Sequence, residues 1–216
     1  MNSTTATSSA DEPLASPSEA LALIREQQRT VTERQLGGVP WILAMWAGSW
    51  GVGFFALWSG YEGGNPWFRI PLGLAGSIFG VLLVAAIVVS AIVGARIGRG
   101  VRGASAFGGA IYSISWSVSS LAVYLIGVAL IREGADASLI SLYFPAAFAL
   151  VAGLLYFMGA ALWRSMDQLV LGAIIIVTGT AAPFFGAPTN NLVMAVLGGG
   201  SFLVAAVVMH LNLRRR

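Results

Sequence analysis

The chain has 216 residues, of which 57% are hydrophobic and only 10% are charged, and its net charge is +3. A soluble domain carries roughly 25% charged residues, so this composition excludes an ordinary soluble globular protein. Cysteine is absent and histidine occurs once, which excludes disulfides and argues against a metal centre. We therefore expect no metal and no cofactor. The positive charge does not suggest nucleic acid binding, because every basic residue is an arginine at a loop or terminal position.

The amino-terminal arm is predicted to have two parts. Residues 1–15 are small and polar, which predicts a disordered cytoplasmic tail. A weakly amphipathic helix is predicted over 16–36, because Ser16 suits an N-cap, Pro17 suits the first turn and Glu19 completes a capping box. This helix either lies on the inner membrane surface or docks a cytoplasmic partner.

Six long apolar segments follow, each near the roughly 20 residues that cross a bilayer core. They are predicted at 41–60, 72–95, 104–131, 139–163, 168–186 and 192–211. Short connections favour antiparallel packing of consecutive segments. The expected fold is an all-α integral membrane protein, with a six-helix transmembrane domain over 37–213 and a basic cytoplasmic C-terminus over 214–216.

The arginines fall almost entirely on one side of the predicted membrane. Only Arg69 and Arg132 belong to the opposite side. The other ten are Arg25, Arg29, Arg34, Arg96, Arg99, Arg102, Arg164, Arg214, Arg215 and Arg216. Because cytoplasmic loops are enriched in arginine and lysine, this bias predicts that both termini are cytoplasmic in a bacterial-type plasma membrane.

The predicted spans contain no Asp, Glu, Lys or Arg. Intramembrane charges normally mark proton relays and ion paths, so a proton-coupled carrier or a channel with charged rings is disfavoured. His210 lies at the inner end of the last span with no carboxylate at its depth, which predicts an interfacial anchor. The chain also has no nucleotide-binding or hydrolase motif. We expect that it is not an enzyme.

The third span is rich in hydroxyl groups. At 100° per residue, Gly109, Ser113, Ser117 and Ser120 form one stripe. Small residues at this spacing allow helices to approach closely, whereas a hydroxyl stripe can also line a polar pathway. Both interpretations stay open.

Residues that interrupt regular helices gather in the outer half of the last three spans. Irregular backbone at membrane depth persists where it is buried or lines a cavity, so a pocket or pathway is predicted here. The alternative is that these are ordinary membrane-helix prolines and glycines. The residues are Pro145, Thr178, Thr180, Pro183, Gly198, Gly199 and Gly200.

Two further sets of residues carry predictions. Trp46, Trp50 and Trp116 lie deep in their spans, where they either hold a lipophilic cation or form core packing. Asn190 and Asn191 are predicted to cap the last span.

The loop between the second and third spans carries Arg96, Arg99 and Arg102. This basic segment either contacts anionic lipid or docks a cytoplasmic protein.

The S-P-S-E-A-L helix start, the pair Arg25 and Arg29, and the tryptophan-rich first span resemble six-span bacterial membrane proteins that are labelled only as transporters. The layout is also similar to the permease subunits of type-2 ABC exporters, which place an amphipathic helix before the first span. This chain is shorter and lacks their re-entrant helices between the last two spans. The resemblance implies a membrane subunit that transports with a second membrane chain or an ATPase, and a homo-oligomer is a further option.

The expected function is participation in transport of an uncharged or lipophilic solute together with partner proteins. A non-transporting interaction or regulatory membrane protein is the alternative. An intramembrane enzyme is disfavoured, since the catalytic residue types are missing from the spans.

Overall fold

The computed structural model describes residues 16, 18, 20–26, 36–99 and 103–215. Within these residues the secondary structure is helical, without strands. Six helices are long and apolar enough to span a membrane, which supports a multi-pass membrane protein. They are α1 (Val39–Gly60), α2 (Leu72–Ile97), α3 (Ala104–Arg132), α4 (Ala137–Trp163), α5 (Met166–Phe185) and α6 (Thr189–Arg214). Their ends differ from the predicted spans by only a few residues.

Two of these helices are irregular. Helix α5 is α-helical over Met166–Ala181 and finishes with a 3-10 turn, Ala182–Phe185. Helix α6 contains a π-helical segment, Met194–Gly199, near its beginning. Both irregular stretches lie near the short connection that joins α5 to α6. Regions of this kind in α-helices often occur at functional positions.

Local sequence sets the beginnings of several helices. The Asp136 side chain accepts a hydrogen bond of 2.7 Å from Leu139 N and thereby caps α4. Ser165 caps α5 by accepting a bond from Gln168 N. Pro40 occupies the first turn of α1, where its missing N–H costs nothing.

We call the end of the molecule that carries the 61–71, 133–136 and 186–188 connections the upper end, and the opposite end the lower end. The helices pack in sequence order around a shared interior: α1 against α2, α3 against α4, α4 against α5, α5 against α6, and α6 against α1. Consecutive helices α2 and α3 are the exception, because they hardly touch. We call the space between them the α2–α3 gap.

The helices are buried to very different degrees. Half of the most apolar stretch of α1 is buried, against 6% for α2 and 11% for α3. Helix α1 is therefore central, with α2 on one side and α6 on the other. Helices α2 and α3 present most of their apolar surface outward.

Glycines allow the closest helix contacts. A Cβ atom built on Gly172 of α5 would lie 2.9 Å from the carbonyl oxygen of Gly153 in α4. Gly199 of α6 is equally close to the backbone of Gly51 in α1, where a Cβ would lie 2.6 Å from the amide nitrogen. Small-residue contacts of this kind are typical of helix seams in membranes, where they allow two backbones to approach.

The predicted amino-terminal helix is described only in part. Residues 20–26 are helical, and the backbone N–H of Ala20 donates to the carbonyl of Ser16 at 2.9 Å. The side chains of 21–26 are exposed. Pro17, Glu19 and 27–35 lie outside the described residues, as does the predicted tail over 1–15.

Candidate functional site

A cavity of about 700 Å³ opens at the upper end of the molecule. It is a broad, open groove, large enough for a small polar group. The first turns of α2 and α4 border it on two sides, and the connection before α6 borders it on a third. We call it the upper cavity. It is lined by Gly60, Tyr61, Glu62, Arg69, Ile70, Pro71, Leu72, Ala137, Ser138, Ser141, Ala187 and Pro188.

One wall of the upper cavity carries a pair of opposite charges. Arg69 Nη2 donates to Glu62 Oε1 at 3.2 Å, and the two side chains are 60% and 86% exposed. An ion pair this exposed adds little to folding stability. Either group can therefore give up this ion pair and bind a ligand instead.

The 61–71 connection is folded so that this pair faces the cavity. The hydroxyl of Ser59 accepts a hydrogen bond of 3.0 Å from Asn65 Nδ2, and Ser59 O accepts one from Ile70 N. Asn65 Oδ1 in turn accepts from Trp67 N at 2.9 Å, which closes a local turn. The Trp67 ring also contacts that of Trp58 edge-on. These contacts fix both ends of the connection onto the end of α1.

A buried hydrogen bond lies beside the cavity. Pro145 has no backbone N–H, so the carbonyl of Ser141, four residues earlier in α4, lacks its helical partner. Asn190 Nδ2 of α6 donates to this carbonyl at 2.8 Å. The Asn190 side chain is fully buried, and the bond links α6 directly to α4.

Asn191 is buried next to it, and its Nδ2 atom donates to Asn190 Oδ1 at 3.4 Å. The prediction that these two asparagines cap the last helix is wrong. The helix begins at Thr189 after Pro188, without a side-chain cap, and both asparagines belong to its first turn. Their amides are used inside the molecule, because the proline in α4 creates an acceptor there.

Below the cavity, the shared interior of the helices is filled with aromatic rings. Phe202 of α6 is the central member, with ring centroids 5.2 Å from Trp50, 6.1 Å from Tyr156 and 6.4 Å from Trp46. We call this connected set the aromatic interior. It comprises Trp46, Trp50, Phe54, Phe79, Trp116, Tyr156 and Phe202.

The three deep tryptophans, Trp46, Trp50 and Trp116, pack in or against the core of the helix bundle. Trp46 Nε1 donates to Ser90 Oγ of α2 at 3.0 Å. Trp50 is only 5% exposed and packs against Phe54 and Phe202, and Trp116 packs against Tyr156. This arrangement favours core packing over a cation site, since the three rings pack against other side chains and Trp50 is buried.

The structure disperses the residues of the predicted Pro/Gly pocket. Gly198 and Gly199 face α1, where Cβ atoms on them would meet Trp50 and Gly51 at 2.6 Å. Gly200 points into open space. Pro145 and Thr178 are buried, Pro183 is partly buried in the 3-10 turn, and Thr180 is exposed. None of these residues lines the upper cavity, and their role in a pathway stays a prediction.

The predicted serine stripe lies mostly on the outside of α3. Ser113 and Ser117 are exposed, and Ser120 is half-buried. The hydroxyl of Ser113 donates back to the carbonyl of Gly109 within its own helix. Among the described residues, most of the stripe is exposed, and both interpretations of it remain predictions.

At the lower end, Arg96 and Arg99 are exposed at the end of α2. Arg102 lies outside the described residues. Contact with a partner or with anionic lipid stays a prediction. In the described part of the chain, no group of three His, Cys, Asp or Glu side chains is placed to hold a metal ion.

Sequence reasoning missed the residues that form the upper cavity. Glu62 and Arg69 are seven positions apart in a connection, and nothing in their spacing indicates contact with the start of α4. The signal for Asn190 was present, because a proline at 145 predicts a free carbonyl at Ser141. Its partner could not be found from sequence, since it lies 49 positions away.

The chain matches no family model, and no curated protein or solved structure is significantly similar to it.

Proposed function

We propose that this chain is a membrane subunit in a bacterial-type plasma membrane that takes part in transport of an uncharged or lipophilic solute together with partner proteins. The observation that supports this most is the absence of charged side chains from the helix interiors. Between their terminal turns, the six helices contain no Asp, Glu, Lys or Arg. A charged solute crossing such an interior would lose its hydration without gaining a counter-charge, so neutral or apolar solutes are favoured.

The α2–α3 gap supports a lipophilic solute in particular. The two helices are consecutive and yet hardly contact each other, so within the described residues no helix contact closes the bundle between them. In a bilayer, an opening of this kind faces the acyl chains. A lipophilic molecule would reach the interior through it without first entering water.

The partner and the orientation follow from the arginine distribution. In our proposal the lower end is cytoplasmic, and partners bind the 16–36 helix and the loop that carries Arg96, Arg99 and Arg102.

The chain has no cysteine, so single cysteines report orientation directly. We expect Pro66→Cys to react with a membrane-impermeant maleimide on intact cells, and Gly98→Cys to react only after permeabilisation. The opposite labelling would invert the proposed topology.

The deciding experiment is a tagged pull-down of the full chain from native membranes in mild detergent, followed by the mass of the intact complex. The proposal expects a second membrane chain or an ATPase in stoichiometric amount. Replacing Arg96, Arg99 and Arg102 by glutamine should release it, whereas replacing Arg69 and Arg132 at the upper end should not. A mass that is a multiple of 22.5 kDa alone would remove the partner from the proposal.

A non-transporting interaction or regulatory protein is the second candidate. It is favoured by the exposure of Ser113 and Ser117 on α3, since a small, polar surface facing outward is suited to contact with another helix. Reconstitution of the purified complex separates the two candidates. Polar substitutions in the 183–200 region should alter solute flux if the chain transports, and should alter no flux if it only binds partners.

A further inference from the structure

We infer that the upper cavity binds a zwitterionic group, an anionic phosphate next to an ammonium, as in the headgroup of a neutral phospholipid. This deepens the proposed function by naming a class of lipophilic, net-neutral substrate, and it rests on that function for the link between binding and transport. Two sources carry this chemistry, a lipid of the surrounding bilayer and a free zwitterionic solute. The first is favoured by the position of the cavity.

The charges that line the cavity are one cation and one anion. Arg69 and Glu62 are 3.2 Å apart, and the other ten lining residues are uncharged. A planar guanidinium suits a phosphate, with which it forms paired hydrogen bonds, while a carboxylate suits an ammonium. A zwitterionic ligand replaces the exposed Arg69–Glu62 ion pair by two new ion pairs, phosphate with Arg69 and ammonium with Glu62. The net charge of the site stays zero. A purely anionic ligand would instead face the Glu62 carboxylate.

The uncharged polar groups of the wall fit the same ligand. The hydroxyl of Ser141 donates to the carbonyl of Ser138 at 2.7 Å, so its oxygen remains able to accept a bond from an ammonium. Tyr61 also lines the cavity, and aromatic rings attract cations. These groups are held in place by α4 and by the end of α1.

The position of the cavity points to lipid as the source. It is bordered by Pro71 and Leu72, where the apolar helix α2 begins, and by Ala137 and Ser138, where α4 begins. In a membrane, helix ends of this kind lie at the depth of the headgroups. Helix α2, which begins at this wall, is apolar and almost entirely exposed along its length. A bound lipid would therefore place its headgroup in the cavity and its acyl chains along the surface of α2.

The test uses the full chain in nanodiscs that hold equal amounts of phosphatidylethanolamine, which is zwitterionic, and phosphatidylglycerol, which is anionic. Lipid retained on the released protein is measured by native mass spectrometry. We expect retention of one phosphatidylethanolamine in preference to phosphatidylglycerol. Arg69→Gln should lower this occupancy roughly tenfold, because a hydrogen-bonded charge is removed. Glu62→Gln should mainly abolish the preference between the two lipids.

Matched controls are Arg132→Gln and Glu133→Gln, which make the same charge changes at the same end on exposed residues that do not line the cavity. They should leave lipid retention unchanged. The inference is overturned if the cavity variants behave like these controls, or if phosphatidylglycerol is preferred by the unmodified chain. Thermal unfolding of each variant verifies folding, which should be preserved because both cavity charges are exposed.

Competition with glycerophosphoethanolamine identifies the source of the zwitterion. If this soluble compound displaces the lipid only at far higher concentration, the headgroup of a membrane lipid is the ligand. If it binds as tightly as the lipid, the zwitterion site stands with a soluble ligand. Lipid binding is measured without solute flux and without partner proteins. A negative lipid result would therefore contradict this inference alone, whereas a negative pull-down would contradict the proposed function.

Discussion

The carbonyl oxygen of Ser141 lacks a helical donor because of Pro145, and a residue far along the chain supplies one. Pro145 removes the helical donor to this oxygen, and Asn190 supplies a replacement at 2.8 Å. The Asn190 side chain is buried, so it reaches this carbonyl from inside the protein. The side-chain amide is therefore part of the backbone hydrogen bonding of α4.

This explanation makes a prediction about coupling. Asn190→Leu should destabilise the folded protein by about 1–2 kcal/mol, the loss expected for one buried hydrogen bond. Pro145→Ala restores a backbone N–H that can bond to Ser141, so Asn190→Leu should cost less in that background. Unfolding of the four proteins of the double-mutant cycle measures the coupling. Equal costs in the two backgrounds would show that the asparagine does not serve the proline-freed carbonyl, and Asn212→Leu on the exposed surface is the control.

Two neighbouring glycines in α6 differ sharply in their surroundings. A Cβ on Gly199 would lie 2.6 Å from the backbone nitrogen of Gly51, whereas one on Gly200 would meet no atom within 4 Å. Real Cβ atoms do not approach so closely, so a substitution at Gly199 must separate α1 from α6.

We therefore expect Gly199→Ala to destabilise the protein by about 1–3 kcal/mol, as overpacked cores do. Gly200→Ala should be neutral or slightly stabilising, because alanine is the better helix former. Thermal unfolding in detergent compares the two variants. If they prove equally stable, the contact between α1 and α6 is not as close as described.

At the scale of elements, α1 and α2 form an antiparallel pair along their whole length. Contacts run from Gly60 and Ala75 near the upper end, through Gly53 and Phe79, to Trp46 and Ser90. The predicted short connection explains why these helices are neighbours. It does not determine their rotation, which depends on the side chains that meet in the seam.

That rotation is open to a cross-linking test. The Cβ of Ala75 lies 3.2 Å from the Cβ position of Gly60, close to the roughly 3.5–4.5 Å of a disulfide. We expect Gly60→Cys with Ala75→Cys to form an intrachain disulfide on mild oxidation, seen as a gel shift. The matched pair Gly60→Cys with Gly76→Cys should not, because Gly76 faces open space. Cross-linking of the second pair alone would indicate a different rotation of α2.

The π-helical segment of α6 also acts at this scale. It lies between Asn190, which bonds to α4, and Phe202, which packs in the aromatic interior. A π turn is wider than an α turn and so changes which later residues share a face. Helical periodicity alone therefore misjudges the faces of α6 beyond this point.

For the whole molecule, the aromatic interior connects α1 with α4 through a residue of α6. Phe202 contacts Trp50 of α1 on one side and Tyr156 of α4 on the other. Its side chain is 2% exposed. Removing it would leave a void at the point where the two halves of the bundle meet.

We expect Phe202→Ala to destabilise the protein by about 3–5 kcal/mol, the usual cost for a buried phenylalanine. Phe184→Ala is the control, since that ring is 91% exposed. Unfolding of the purified variants in detergent gives the comparison. A Phe202→Ala variant as stable as the control would mean that the aromatic interior does not hold the two halves together.

The sequence by itself determined the number, position and apolar character of the six helices, because hydropathy and helix length are local properties. It also indicated which residues disturb the helices, since proline and glycine act within one or two turns. Only the tertiary structure decided that Gly199 packs on α1, that Asn190 completes α4, and that Glu62 and Arg69 line a cavity beside Ser138 and Ser141. These depend on contacts between residues far apart in the chain. In apolar helices nearly every face is hydrophobic, so the pattern that reveals a buried face in a soluble helix is missing, and packing alone selects the partners.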